Sequence, residues 1–171
     1  MLSVREIGKD DIALIAGYWL TASPAFLKGM GVDTAKMPTP QQWADMLSGQ
    51  LSKPYKEKQS YCIIFLLYGQ PVGHCNVNKI VYGAEAYMHL HLWDSSNRKA
   101  GLGVSFVKMA MPYFFDNLKL KKLLCEPYAL NPAPNKTLTK LGFTFVKKYI
   151  TIPGWLNFEQ PVNLWEIKNE G

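Results

Sequence analysis

Nowhere in the 171 residues does a run of apolar side chains approach the roughly 20 that a bilayer-crossing helix requires. An acidic pair, Asp10-Asp11, stands where a secretory signal would be apolar. The expectation is an unprocessed, cytoplasmic protein with no membrane partner. Cysteine is scarce: Cys62, Cys75 and Cys125 are odd in number, lack C-x-x-C spacing and fall within apolar runs. This excludes a disulfide framework and predicts buried free thiols. Charge is also sparse, at 19% against 48% hydrophobic residues, which excludes a disordered chain. Internal repeats, low-complexity tracts and linkers are missing too, so residues 1–171 are expected to form a single domain, one long enough to bury roughly 70% of its unfolded surface.

What charge there is leans basic, with 19 Lys and Arg against 13 Asp and Glu, a net of +6. Such a balance suits an anionic partner, either nucleic acid or a small molecule. The densest groups, Lys119, Lys121, Lys122 and Lys147-Lys148, flank apparent strands without interleaved aromatics. A stacking platform for nucleic acid is therefore not expected, and a solvated basic face is.

Periodicity supplies the element order. Residues 2–7 alternate as a strand, and Asp10 is placed to cap a helix carrying Ile12, Ile15, Ala16 and Trp19 at helical spacing. Residues 21–38 read as an irregular connection with a helical turn near Phe26. Thr39-Pro40 then opens a helix with Trp43, Met46, Leu47 and Leu51 on one face. Residues 61–68 and 72–82 should pair as a hairpin about Gly69-Gln70-Pro71, with a third strand at 87–93. An apolar helix at 104–118 containing Pro112, a strand at 123–126, a helix at 132–141 stopped by Gly142, and strands at 143–150 and 162–167 complete the chain. The fold class predicted is α/β in the broad sense, a mixed and mostly antiparallel sheet of about six to seven strands flanked by about four helices.

The end of the third strand carries the strongest chemical signal. Two glycines, Gly101 and Gly103, stand between it and an apolar helix, where tight backbone turning aims amides and a helix N-terminus at an anion. The same spacing also occurs in ordinary turns that enter helices. Arg98-x-x-Gly101-x-Gly103 resembles the R/Q-x-x-G-x-G/A signature of the GNAT acyltransferase superfamily. Downstream, Asn131-Pro-Ala-Pro-Asn135-Lys-Thr-Leu138-Thr-Lys-Leu-Gly142-Phe143 is similar to that family's N-x-A-S-x-x-x-L-x-K-L-G-F segment. Weaker resemblance covers nearly the whole chain and is nearest the branch of ribosomal-protein N-terminal acetyltransferases.

That resemblance implies acetyl-CoA as acyl donor, an amine as acceptor and no metal cofactor, in a monomer or homodimer. It implies cofactor contacts from Leu92, Trp93, Arg98, Lys99, Ala100, Gly101, Leu102, Gly103, Asn131 and Asn135, with Asn131 toward the pantetheine arm. Lys99 replaces a frequent glycine and Pro134 a serine, so the cradle rests on backbone amides. The tyrosine that protonates the departing thiolate in many members is matched here by Leu138, which leaves Tyr128 as the candidate acid. Tyr87, His89 and His91 share one face of the third strand, where the family binds the acceptor. An imidazole near neutrality can take the amine proton, and His91, nearest the loop, is the first candidate base, followed by His89. Both are equally explained as hydrogen-bonded strand residues. A metal site from His74, His89 and His91 lacks a carboxylate or thiolate at ligand spacing. Acceptor choice falls to residues 19–51 and 152–161, where Trp19, Phe26 and Trp155 are candidate pocket residues. A non-catalytic acyl-CoA-binding protein of this fold and a basic nucleic-acid-binding domain remain the alternatives.

Overall fold

The computed structural model describes residues 1–98 and 101–171. Seven strands form one mixed sheet: β1 (Leu2–Glu6), β2 (Ser60–Leu67), β3 (Gln70–Val81), β4 (Glu85–Leu92), β5 (Lys122–Cys125), β6 (Thr144–Thr151) and β7 (Gln160–Lys168). Their spatial order is β1-β2-β3-β4-β5-β7-β6, antiparallel throughout except for the β4–β5 pair. The helices are α1 (Ile12–Thr21), α2 (Pro24–Gly29), α3 (Pro40–Leu51), α4 (Ser95–Arg98), α5 (Leu102–Asn117) and α6 (Pro132–Lys140). The fold class is the one expected, and the elements expected from periodicity follow in the expected order, with α2 and α4 in addition.

Local chemistry explains the boundaries. Thr39 Oγ1 accepts from Gln42 N while Gln42 Oε1 accepts from Thr39 N, a reciprocal cap in front of Pro40. Gly142, at φ 88°, ends α6 in the left-handed conformation that only glycine adopts without strain. Asp10 is not the cap of α1. A single 3-10 turn, Lys9–Asp11, precedes that helix, and it is the Asp11 carboxylate that accepts from Gly8 N at 2.7 Å and pairs with Arg5 at 2.6 Å. The irregular connection holds more than a turn: Ser23 Oγ accepts from Phe26 N and starts the six-residue α2. Helix α5 runs through Pro112 as one element.

Strand alternation divides the core in two. Phe65, Cys75, Val77, Ala86 and Met88 face Phe106, Val107, Ala110 and Phe114 of α5. On the other face Cys62 and Ile64 of β2 pack with Ile15, Trp19 and Trp43 of α1 and α3. Ile64 pairs with His74 and His74 with His91, while Cys62 pairs with Asn76 and Asn76 with His89. Residues directly opposite one another share a face, so a polar row crosses the sheet on the α1 side. All three cysteines are buried and free. Burial pushes their thiols up, that of Cys125 to about 12.

The sheet parts in its middle. The β4–β5 ladder has three rungs, Glu85–Lys122, Ala86–Leu123 and Tyr87–Leu124. Beyond them Cys125 Sγ donates to the Met88 carbonyl at 3.0 Å, and then the strands diverge. The chain after β5 follows β7, with Tyr128 bridging Val162 and Ala129 N donating to the Pro161 carbonyl, while β4 stays with β3 as far as Leu92. The side of β4 from Met88 to Leu92 that faces away from β3 therefore has no partner strand among the described residues.

Candidate active site

At the end of this cleft lies the glycine pair. Gly101 is the N-cap of α5 at φ 71° and offers no side-chain cap, so the first amides of the helix have no acceptor within it and form a donor cluster for an anion. A Cβ on Gly103 would lie 3.6 Å from Leu90 Cδ1 and 3.9 Å from Leu92 Cδ1, ordinary contact distances. A side chain there is compatible with the fold, and what it would obstruct is the approach to the helix end. The donor set suits a pyrophosphate. Lys99 and Ala100, expected in the same cradle, lie outside the described residues.

Arg98 serves the loop from within. It ends α4, its Nε donates to the Leu92 carbonyl at 2.9 Å and its Nη2 to the Trp93 carbonyl at 3.3 Å, and its guanidinium lies 4.2 Å from the Phe26 ring centroid. The motif arginine thus ties the strand end to α2, and the carbonyls of Leu92 and Trp93, both expected at the cofactor, are engaged by it. Leu92 turns its side chain into the core against α5.

Asn131 and Asn135 separate in role. Asn131 is the N-cap residue of α6 but makes no side-chain cap hydrogen bond, which leaves its amide available. Asn135 has every hydrogen-bonding position filled internally. Its Nδ2 donates to the Asn131 and Tyr128 carbonyls, and its Oδ1 accepts from Asn163 Nδ2 and Trp165 Nε1. The Asn135 amide, expected among the cofactor contacts, is engaged within the protein. Asn135 shapes the turn from Tyr128 to Asn131. Tyr128 itself packs edge-on against Phe158 at 5.7 Å between centroids.

The three histidines come together on the α1 face. His74 and His91 stack at 5.0 Å between centroids. Trp93 Nε1 donates to His74 Nδ1 at 2.9 Å; an indole N–H only donates, so neutral His74 carries its proton on Nε2. His89 Nε2 lies 3.0 Å from Asn78 Oδ1, an acceptor, and so carries the proton. His91 Nδ1 lies 3.0 Å from Tyr18 Oη. Burial favours the neutral ring in each case: His74 is held at about 3 and His89 at about 4, the latter with help from the Lys79 charge. His91 falls well below its usual value through burial, then His74, His89 and Arg98. Burial also raises the Tyr18 hydroxyl. All four groups are uncharged at neutral pH. Among the described residues no cluster of His, Cys, Asp and Glu is placed to hold a metal ion.

The two segments expected to choose the acceptor meet here. Trp19 contacts His91 at 4.9 Å between centroids, Trp43 stacks on Trp19 at 5.7 Å, and Trp155 lies 5.7 Å beyond Trp43. Gln160, buried, donates to the Gly31 carbonyl at 2.8 Å, and Asn157 donates to it at 2.9 Å, locking residues 152–161 to the loop after α2. Sequence reasoning missed Tyr18, whose partner lies 73 positions away. It also missed Glu126, whose side chain is buried beside Lys79 at 3.7 Å, where burial raises its carboxyl and Lys79 pulls it back.

Residues 2–144 match the family described as the acetyltransferase (GNAT) domain. Similar solved structures include a ribosomal-protein-S5-alanine acetyltransferase from Vibrio fischeri, 19% identical over 99% of this chain and 93% of that one, with a TM-score of 0.78. A spermidine N-acetyltransferase from Vibrio cholerae with CoA and spermine is 14% identical over 98% and 95%, TM-score 0.78. Mycobacterium smegmatis RimJ with a CoA disulfide is 18% identical over 99% and 82%, TM-score 0.77. No curated protein matches the chain.

Proposed function

Because the chain belongs to the GNAT acetyltransferase family, we propose that it transfers the acetyl group of acetyl-CoA directly to a primary amine, with His91 as the base that accepts the amine proton. The observation that carries this reading is the cleft where β4 leaves β5, which ends on the uncapped first turn of α5 and is flanked by the neutral histidine row. Amides of residues 101–103 would receive the pyrophosphate. The edge of β4 between the engaged carbonyls of Met88 and Leu92, together with the uncapped amide of Asn131, would hold the pantetheine arm. The amine nitrogen attacks the thioester carbon, a C–N bond forms and the C–S bond breaks. The proton taken from nitrogen is balanced overall by the one that the thiolate gains.

The acceptors named for the similar structures range from a ribosomal-protein alanine to spermidine. Here the acceptor side is walled by Tyr18, Trp19, Phe26, Trp43 and Trp155, and the buried carboxylates of Asp11 and Glu126 are already paired with Arg5 and Lys79. An amine borne on an apolar body, either a small molecule or a protein N-terminus, fits this wall better than a polycation, which would need uncompensated acid. We place the protein in the cytoplasm, as a monomer or homodimer.

The test is an amine panel with acetyl-CoA, read by thiol release and product mass, followed by turnover against pH at saturating amine for wild type, His91→Gln and His89→Gln. Wild type should lose turnover on an acid limb lying below the ordinary histidine range, because the buried ring protonates late. His91→Gln should lack that limb and turn over roughly 100-fold to 10,000-fold more slowly. Full turnover with an unchanged limb would move deprotonation to His89, Tyr87, Glu126 or bulk water. Donor binding without thiol release for any amine would make the chain an acyl-CoA-binding protein.

A further inference from the structure

Tyr18 has one hydroxyl hydrogen and two neighbours. Its oxygen lies 3.0 Å from His91 Nδ1 and 3.7 Å from Met30 Sδ. A thioether sulfur only accepts, so both contacts are hydrogen bonds in one arrangement alone, with Tyr18 donating to sulfur and His91 donating from Nδ1–H to the phenolic oxygen. A neutral imidazole protonated on Nδ1 has its lone pair on Nε2, and among the described residues the His91 ring is hydrogen-bonded at Nδ1 alone. Were the hydroxyl turned to donate to Nδ1, the ring proton would sit on Nε2 and that nitrogen could accept nothing.

We propose that Tyr18 is a positioning residue: supported by Met30, it fixes His91 as the Nδ1–H tautomer and so keeps the Nε2 lone pair available to the amine. This deepens, and rests on, the reading of His91 as base. The neighbouring histidine marks the contrast. Trp93 fixes His74 as the Nε2–H tautomer, so two stacked rings one strand apart are held in opposite tautomers by two aromatic side chains of different chemistry. In the transfer step the amine proton passes to Nε2 while Nδ1–H stays hydrogen-bonded to the phenol. The imidazolium is thus stabilised by an oxygen acceptor without a buried carboxylate beside it.

The experiment is a long-range proton–nitrogen NMR spectrum of uniformly nitrogen-15-labelled protein, in which three histidines give three ring systems and His91→Gln identifies the His91 pair. Wild type should show His91 with a protonated Nδ1 and a bare Nε2, and His74 with the reverse. Tyr18→Phe removes the acceptor, and Met30→Leu removes the sulfur so that the hydroxyl turns toward His91. Both should move His91 to the Nε2–H form and lower kcat at least 10-fold with the amine KM within 2-fold, and Met30→Gln, which restores an acceptor, should recover the wild-type tautomer. A wild-type spectrum with Nε2 protonated overturns the proposal, as does an unchanged tautomer in folded Tyr18→Phe and Met30→Leu. The outcome for the base reading is separate: if the tautomer is as stated but His91→Gln keeps full turnover, His91 is not the base and Tyr18 positions an idle ring.

Discussion

Three histidines held in the neutral form, His74 buried and His89 and His91 half-buried, should make this fold unusually sensitive to mild acid. His74 is 4% exposed and protonates at about 3, His89 protonates at about 4, and His91 lies well below its usual value. In the unfolded chain each returns to roughly 6.5. A folded-state value below the unfolded one means that the unfolded chain binds more protons as pH falls, so stability is fully present above about 6.5 and is lost below it. Between pH 7 and pH 5.5 each ring contributes a loss of about 1 kcal/mol or slightly more, and the three together about 4 kcal/mol. For a chain of this length roughly 2–4 °C accompanies each kcal/mol, so the melting temperature should drop by about 8–16 °C. Asp11, held below the usual carboxylate range by Arg5 and Gly8 N against the cost of burial, is ionised throughout that window and adds nothing. Glu126, raised by burial and pulled back by Lys79, works in the opposite direction. Calorimetry of wild type and His89→Gln at half-unit pH steps is the measurement. The variant should lose about a third of the slope. A wild-type change under about 3 °C would refute the reasoning, since it would mean that the rings protonate without unfolding the protein.

Gly103→Val should leave the melting temperature within a few degrees, because a Cβ there meets only ordinary contacts, yet abolish CoA binding by isothermal titration; wild-type affinity would misplace the cradle. Asn131→Ala should weaken CoA binding several-fold with little change in stability, whereas Asn135→Ala, which strips four internal hydrogen bonds, should destabilise by about 2–4 kcal/mol in chemical denaturation. The reverse pattern would exchange their roles. Gly73→Ala should unfold the protein or nearly so, since its Cβ would collide with the His91 carbonyl; a soluble variant with a wild-type melt would show that β3 and β4 can separate.

The elements were legible where side-chain period and punctuation agreed. Trp43, Met46 and Leu47 behind Thr39-Pro40 mark α3, and Gly142 marks the end of α6. The Asp10 expectation fails because α1 has no side-chain cap: a 3-10 turn leads into it, and the neighbouring Asp11 carboxylate is turned back to Arg5 and Gly8 N, contacts that local sequence does not announce. The site was half legible. Glycine spacing locates an anion cradle, and alternation puts His89 and His91 on one face, since both follow from local geometry. Partners distant in the chain leave no local signal: Tyr18 with His91, Gly31 with Gln160, and the filled amide of Asn135 are settled by packing.

The early parting of β4 from β5 has a cost for the empty protein. Peptide groups on that side of β4 are neither in a ladder nor at the outer margin of the sheet; they form a short gap in its middle, of the kind that another chain's extended segment can fill. The acyl donor would plug the gap as well as enter the reaction. Solutions kept with CoA should therefore stay monodisperse at concentrations and temperatures where the unliganded protein begins to self-associate, and light scattering during storage would report donor occupancy without any chemistry taking place.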